Sequence, residues 1–313
     1  MPTHFLNSQF FIFNSLRAVY FRAHMPTILV ILAHPDDESF GPGGTLAKYA
    51  STGTAVHYLC GTRGESGTVD ADKMKGYADV ATLRTSELLC AAKELGLAEV
   101  HFLGYRDSGM VGTGDNTLTE SLHMAPLDDV ARRIIGTIER LKPDAIVTHD
   151  QYGGYGHPDH IKLHEATMRA YELLYGIQWR KDGELWQVVK GPTQAAKAVP
   201  RMYFAVIPKG IIKFGVRLLP LFRQDPRKFG RNKDIDLIKI ASWDVPVTTK
   251  VNTKRYEEIK QRASACHASQ QASQQQSPII RFLFRRGAGQ EVFSRAYPPY
   301  VKGEKAEMGL LAE

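Results

Sequence analysis

Short apolar runs alternate with amphipathic stretches along the first half of the chain, and the two periods separate strands from helices. Thr27–Ala33 (TILVILA) is continuously apolar, too short for a helix and bounded by polar loop residues, so it predicts a fully buried strand. A helix follows over Gly41–Ala50, closed by Gly53, and then a second strand over Ala55–Cys60. Val80, Leu83, Leu88, Ala91, Ala92 and Leu95 recur at helical spacing over Asp79–Leu95, and Gly96 ends that helix. Glu99–Leu103 predicts a third strand. Leu127–Leu141 predicts a helix with Val130, Ile134, Ile135 and Ile138 on its apolar face. Ala145–Thr148 is a fourth strand, and a helix begins near His157. Beyond about residue 180 the pattern weakens. There Met202–Ile207 and Ile235–Ile240 predict strands, Thr253–Ser264 predicts a helix, and Gln270–Gln276 is rich in Gln and Ser.

Strand and helix in alternation predict an α/β fold, a mostly parallel sheet flanked on both faces by helices. The organisation that follows is a loose extension over residues 1–24, a catalytic core over 25–180, and a more irregular portion over 181–313 that completes the fold and the pocket. In such sheets ligands bind beyond the carboxyl ends of the strands. A motif that carries chemistry should therefore sit just after a strand.

Composition narrows the class. A chain of 313 residues that is 43% hydrophobic can bury a substantial core. Cys60, Cys90 and Cys266 are scattered with no CxxC pair, which argues against a disulfide framework or a thiolate metal site and suits a reducing cytosol. The expected location is cytoplasmic. No run approaches the roughly 18 apolar residues of a membrane span. The aromatic patch Phe10–Phe13 is short for a signal peptide and has no clean cleavage site after it.

The net charge of +7 concentrates between Arg201 and Lys233, where Asp225 is the lone acid. Within it, Gly210–Phe222 mixes cations with Ile, Leu, Val and Phe, a composition that can lie on an anionic membrane surface. A solvated or oligomer-facing segment is the preferred reading, with peripheral membrane contact the lesser one. No helix-turn-helix, zinc-finger or RNA-binding signature accompanies the charge, so nucleic acid is not an expected partner.

Two motifs meet the positional rule. Ala33-His34-Pro35-Asp36-Asp37-Glu38 follows the first strand, and Gly153-Gly154-Tyr155-Gly156-His157-Pro158-Asp159-His160 follows the fourth. Adjacent Asp36 and Asp37 point different ways, so one can bind a metal while the other faces a water. Pro158 suits a first helical position and places His157 and His160 on one side of the opening turn. An Asp-rich helix cap or a packed core histidine would explain either motif alone. Together they offer histidines and carboxylates without a thiol. Three protein ligands with one position left for water is the catalytic zinc arrangement, and the same donors suit Fe(II).

These residues carry a resemblance. AHPDDE followed by GGYGHPDH is similar to the PIG-L/LmbE-like N-acetylglucosaminyl deacetylases, most of all the branch acting on mycothiol-type sugar inositols, over about Thr27–His164. Weaker echoes are Arg84 in LRTSEL, the RDSGM stretch from Arg106, and His267-Ala268-Ser269-Gln270. The resemblance implies a Rossmann-like sheet with zinc at its carboxyl edge. It implies His34, Asp37 and His160 as metal ligands and Asp36 as general base. His157 would stabilise the oxyanion or protonate the leaving amine, Asp159 would orient and tune His157, and Tyr155 would help polarise the acetyl carbonyl. Arg84 and Asp107 resemble residues that grip the sugar, and Arg84 reads alternatively as a helix-surface cation. His267 reads equally as a pocket or a packing residue. Thr68 stands where the mycothiol branch carries an acid.

The expected activity is hydrolysis of the N-acetyl group of a small N-acetylglucosamine-type amino sugar. The alternatives are an amidase cleaving larger amides such as thiol-sugar conjugates and a non-catalytic carbohydrate-binding protein. The presence of both Asp36 and Asp37 speaks against the last.

Overall fold

The computed structural model describes residues 25–182, 185–192, 198–207, 209–229, 233, 235–271 and 289–311. Its strands are β1 (Thr27–Leu32), β2 (Ala55–Cys60), β3 (Glu99–Phe102), β4 (Ala145–His149), β5 (Gln178–Asp182), β6 (Leu185–Lys190), β7 (Arg201–Ala205), β8 (Thr249–Asn252) and β9 (Gln290–Tyr297). Its helices are α1 (Asp37–Phe40), α2 (Gly43–Ser51), α3 (Val80–Leu95), α4 (Leu127–Leu141), α5 (Gly153–Gly156), α6 (Pro158–Tyr175), α7 (Lys209–Leu218), α8 (Leu237–Ser242) and α9 (Glu257–Cys266).

Seven strands form one sheet in the order β3-β2-β1-β4-β7-β9-β8, while β5 and β6 pair as a separate hairpin. The five strands from β3 to β7 are mutually parallel, and β9 runs antiparallel to both β7 and β8. β1 lies at the centre with Val30 paired to Tyr58 on one side and Val147 on the other. Covered on both faces, it can be apolar at every position. Leu29, Ile31 and Ala33 enter a core built with Val130 and Ile134 of α4 and Leu163 and Ala166 of α6. Ile28, Val30 and Leu32 enter a second core with Leu46 of α2, Leu88 and Leu95 of α3 and Ala263 of α9.

The chain winds outward from β1 to β3 and returns to place β4 on the other side of β1. Strand order reverses between β1 and β4, which opens a crevice at their carboxyl ends. Both sequence motifs emerge there.

The structure departs from the expected elements at several places. Ile235–Ile240 is not a strand. Asp236 accepts the backbone N–H groups of Ile238 at 2.9 Å and Lys239 at 3.1 Å, an N-cap that turns the segment into α8. The helix expected over Gly41–Ala50 is α2, and the single turn α1 before it is an addition, kept separate because Pro42 brings no N–H to continue α1. The hairpin β5-β6 and the strands β8 and β9 were not anticipated, and β7, β9 and β8 extend the central sheet.

Cys90 of α3 and Cys266 of α9 form a disulfide across 176 residues, contrary to the expectation of unpaired thiols. Sequence spacing carries no trace of the packing of α3 against α9 that brings them together. The pairing removes cysteine usage as a pointer to a reducing compartment. No helix among the described residues is long and apolar enough to cross a membrane. The extension 1–24 and most of Gln270–Gln276 lie outside the described residues.

Candidate active site

After β1 the chain turns sharply. Asp36 takes φ 122° and ψ −28°, a conformation that residues with a Cβ rarely adopt, and Asp37 then opens α1. The turn brings Asp37 back over the strand end, where its Oδ2 accepts the backbone N–H groups of His34 at 2.9 Å and Ala33 at 3.2 Å. The second motif arrives from β4. At Gly153, with φ 62°, a Cβ would stand 2.9 Å from that of His160, so only glycine lets the loop fold over the start of α6. His157 caps α6, its Nδ1 accepting the Asp159 N–H at 3.2 Å.

Three donor atoms converge. His34 Nδ1 lies 3.1 Å from His160 Nε2 and 3.6 Å from Asp37 Oδ2, and His160 Nε2 lies 3.4 Å from the same oxygen. A tetrahedral ion with bonds of about 2.0–2.1 Å keeps its ligands roughly 3.3–3.4 Å apart, so the triangle has the dimensions of a zinc site. The other ring nitrogens are engaged. His160 Nδ1 donates to the Gly153 carbonyl at 3.1 Å, and His34 Nε2 faces Asp159 Oδ2 at 3.2 Å and Asp107 Oδ1 at 3.5 Å. Each contact selects the tautomer that turns a lone pair into the triangle.

The electrostatics agree. Burial alone would lower the His34 pKa, yet Asp107, Asp159 and Asp37 hold it well above the ordinary value. Burial would likewise raise Asp37, but His160, His34 and His149 hold it well below the usual carboxylate range. This pocket of carboxylates favours a positive charge, and the donor set fits a divalent cation.

A further histidine, His149 at the end of β4, was missed by the sequence reading. It stacks on His160 with ring centroids 3.8 Å apart and stands 3.6 Å from Asp37 Oδ2. Its Nε2 accepts the Ala33 N–H at 3.0 Å, and with Asp37 and His160 it makes a second group of potential metal donors beside the triangle. Its position at a parallel strand's carboxyl end was the available signal.

At His34 the triangle meets a cavity of about 470 Å³, lined by His34, Asp36, Arg84, Asp107, Tyr155 and His157 among others. Asp37, His160 and Asp159 are not part of that lining. Burial pushes Asp36 up to about 7 against the opposing pull of Arg84. Arg84 is buried, which removes the helix-surface reading. Its Nη2 donates to Asp36 Oδ2 at 3.0 Å and to the Pro35 carbonyl at 2.5 Å, and its Nη1 donates to the Gly64 carbonyl at 3.0 Å. Burial pushes the Tyr155 hydroxyl up, so it stays a donor. Burial, aided by the neighbouring His34 and His160, pushes His157 well below its ordinary value.

Asp159 differs from its expected part. Its carboxylate accepts the backbone N–H of Ser108 at 2.9 Å and the Ser108 hydroxyl, and it faces His34. Only its backbone N–H reaches His157. Ser108, which sequence reasoning left in a weak echo, thus holds the Asp159 carboxylate that faces His34. His267 is fully buried and absent from the cavity, whereas Gln270, three residues on, lines it together with Thr68.

An imidazole–carboxylate triangle meeting a cavity, with a second carboxylate at its edge, defines a hydrolase with a candidate metal centre. Residues 29–171 match the family model described as GlcNAc-PI de-N-acetylase (PIG-L). A 1D-myo-inositol 2-acetamido-2-deoxy-alpha-D-glucopyranoside deacetylase of Geodermatophilus obscurus is 32% identical over 294 residues, covering 89% of this chain and 92% of that protein. The N,N'-diacetylchitobiose deacetylase of Pyrococcus horikoshii shares the fold at a TM-score of 0.50 and 19% identity, covering 86% of this chain and 83% of its own. The 4-carboxy-2-hydroxymuconate hydratase of Pseudomonas putida KT2440 shares it too, at a TM-score of 0.53 and 20% identity over 90% of this chain and 100% of its own. The chain belongs to the PIG-L family. It is an N-deacetylase, a hydrolase of amide bonds.

Proposed function

We propose that this deacetylase removes the acetyl group of an N-acetylglucosamine-type sugar, with zinc held by His34, Asp37 and His160 and with Asp36 as general base. The observation that carries the reading is the triangle of His34 Nδ1, Asp37 Oδ2 and His160 Nε2 meeting, at His34, a cavity that Asp36 also lines. The cavity's 470 Å³ falls within the roughly 300–1,000 Å³ typical of small-molecule sites and leaves room for an aglycone beside the sugar. The named activity of the Geodermatophilus relative, on an acetamido sugar joined to inositol, supports that substrate class.

Zinc at this site would supply a water acidic enough to ionise near neutral pH. The residues divide the remaining work. Asp36, raised to about 7, takes a proton from the attacking water, and the oxygen of that water adds to the acetyl carbon. His157 is neutral, and its Nδ1 is filled by the Asp159 N–H, so its proton sits on Nε2. That favours an oxyanion donor over a resting acid. Tyr155, kept protonated by burial, is the second donor. When the C–N bond breaks, Asp36 passes its proton to the departing amine. Arg84 orients the base, and Asp107 offers the sugar a carboxylate beside it.

The test is metal analysis of purified protein coupled to acetate release from N-acetylglucosamine conjugates. Zinc-loaded Asp36→Ala is expected to keep its metal and lose turnover. Full activity in that variant would sink the base assignment, and undiminished activity in metal-stripped wild type would sink the metal reading.

A further inference from the structure

The bent backbone at Asp36 is held by a chain of contacts that reaches the far end of the sequence. Its N–H donates to Glu38 Oε2 at 3.0 Å, and its carbonyl accepts the N–H groups of Ser39 at 3.0 Å and Phe40 at 2.9 Å. Glu38 is fully buried. Its other oxygen, Oε1, accepts the Ser39 hydroxyl at 2.5 Å and lies 2.6 Å from Nε2 of His267, itself fully buried and 229 residues further along. The Nδ1 of His267 is buried without a hydrogen-bond partner among the described residues, so its bond to Glu38 is the imidazole's polar anchor.

A buried Glu–His pair that merely fastened α9 to α1 would be poorly chosen, because apolar residues of similar volume do that without desolvating charge. What distinguishes Glu38 is where its second oxygen ends. It holds the one residue of the loop that combines a disfavoured backbone with a carboxylate facing the cavity. The segment carrying His267 is itself fixed. Ser269 donates its N–H and its hydroxyl to Glu87 of α3, each at 2.7 Å, and Cys266 is bonded to Cys90.

We propose that Glu38 and His267 are positioning residues. His267 orients Glu38, and Glu38 holds the Asp36 backbone in the conformation that aims its carboxylate at the reacting centre. The inference rests on Asp36 as the base. Neither residue lines the cavity, so their loss should lower kcat and leave KM and metal content alone.

The experiment compares wild type, Asp36→Ala, Glu38→Ala, His267→Ala and the Glu38→Ala/His267→Ala double variant, all zinc-loaded. Steady-state acetate release from N-acetylglucosamine conjugates is measured alongside zinc content, circular dichroism and the absorption of the Co(II)-substituted forms. Glu38→Ala is expected to lose about tenfold or more in kcat, with KM within about twofold and one zinc retained. The double variant should be no worse than Glu38→Ala, since both act through one contact chain. Glu38→Gln, whose amide oxygen can still accept the Asp36 N–H, should recover most of the loss. If an alanine variant does not fold, Glu38→Gln paired with His267→Gln carries the comparison, with His267→Gln expected to lower kcat at constant KM. Wild-type kcat in folded Glu38→Ala, or a loss that follows zinc content, overturns the proposal. Turnover surviving in Asp36→Ala overturns the base reading instead, so the two failures are distinguishable.

Discussion

Arg84 Nη2 lies 3.0 Å from Asp36 Oδ2, with the guanidinium buried and the carboxylate partly open to the cavity. Burial raises Asp36 to about 7, and Arg84 is the largest influence holding it down. A base works as the carboxylate, so activity falls as pH drops through the Asp36 pKa. A bound cation acts in the same direction as Arg84, which puts the acid limb of kcat at or below about 7. Removing the guanidinium as Arg84→Met should move that limb to higher pH, so the variant loses more activity at acid than at alkaline pH. The kcat–pH profile checks it, and an unshifted limb would show that Arg84 does not tune the base.

Asp159→Asn separates two parts for that residue. Its carboxylate faces His34 Nε2 at 3.2 Å and takes both polar hydrogens of Ser108. Support behind a metal ligand typically contributes about 10–100-fold in affinity. The expected result is zinc affinity weakened by about that factor, with kcat largely restored at saturating zinc. A variant with full zinc affinity but low kcat would assign Asp159 to His157 instead.

Reducing the Cys90–Cys266 bond should destabilise the fold without touching the cavity directly. The bridge closes a loop of 176 residues between α3 and α9. Its loss should cost about 2–5 kcal/mol, read as a lower urea midpoint for reduced protein or Cys90→Ser than for the oxidised form. Identical midpoints would mean that the bond does not constrain the unfolded chain.

Gly64→Ala should damage the site through Arg84. The position has φ 72°, and a Cβ there would fall 2.1 Å from Arg84 Nη1. Strain and displacement together should lower stability by roughly 1–3 kcal/mol and weaken the hold on Asp36. Thermal unfolding and the kcat–pH profile of the variant report the two effects, and wild-type behaviour in both would refute the clash.

Much of the parallel core was legible from periodicity alone. Leu127–Leu141 is found with the expected bounds, Asp79 caps α3 through the Thr82 N–H at 2.7 Å, and Gly96 closes it in the left-handed conformation. These signals are local, carried by residues three or four positions apart. The IDLIKI stretch fails for the same reason. Its apolar residues suit either period, and the capping bonds of Asp236 decide for a helix.

The sequence by itself determined the alternating core, the placement of two acidic-histidine loops after β1 and β4, and the residue types offered there. Those follow from the side-chain period and from chemistry carried within a few residues. Only the tertiary structure decided which atoms meet: that His149 stacks on His160, that Asp159 supports His34, that Arg84 is turned onto Asp36, and that His267 reaches Glu38 across 229 residues. Such pairings depend on the order of strands in the sheet and the packing of α3 against α9, distances in space that no local spacing along the chain encodes.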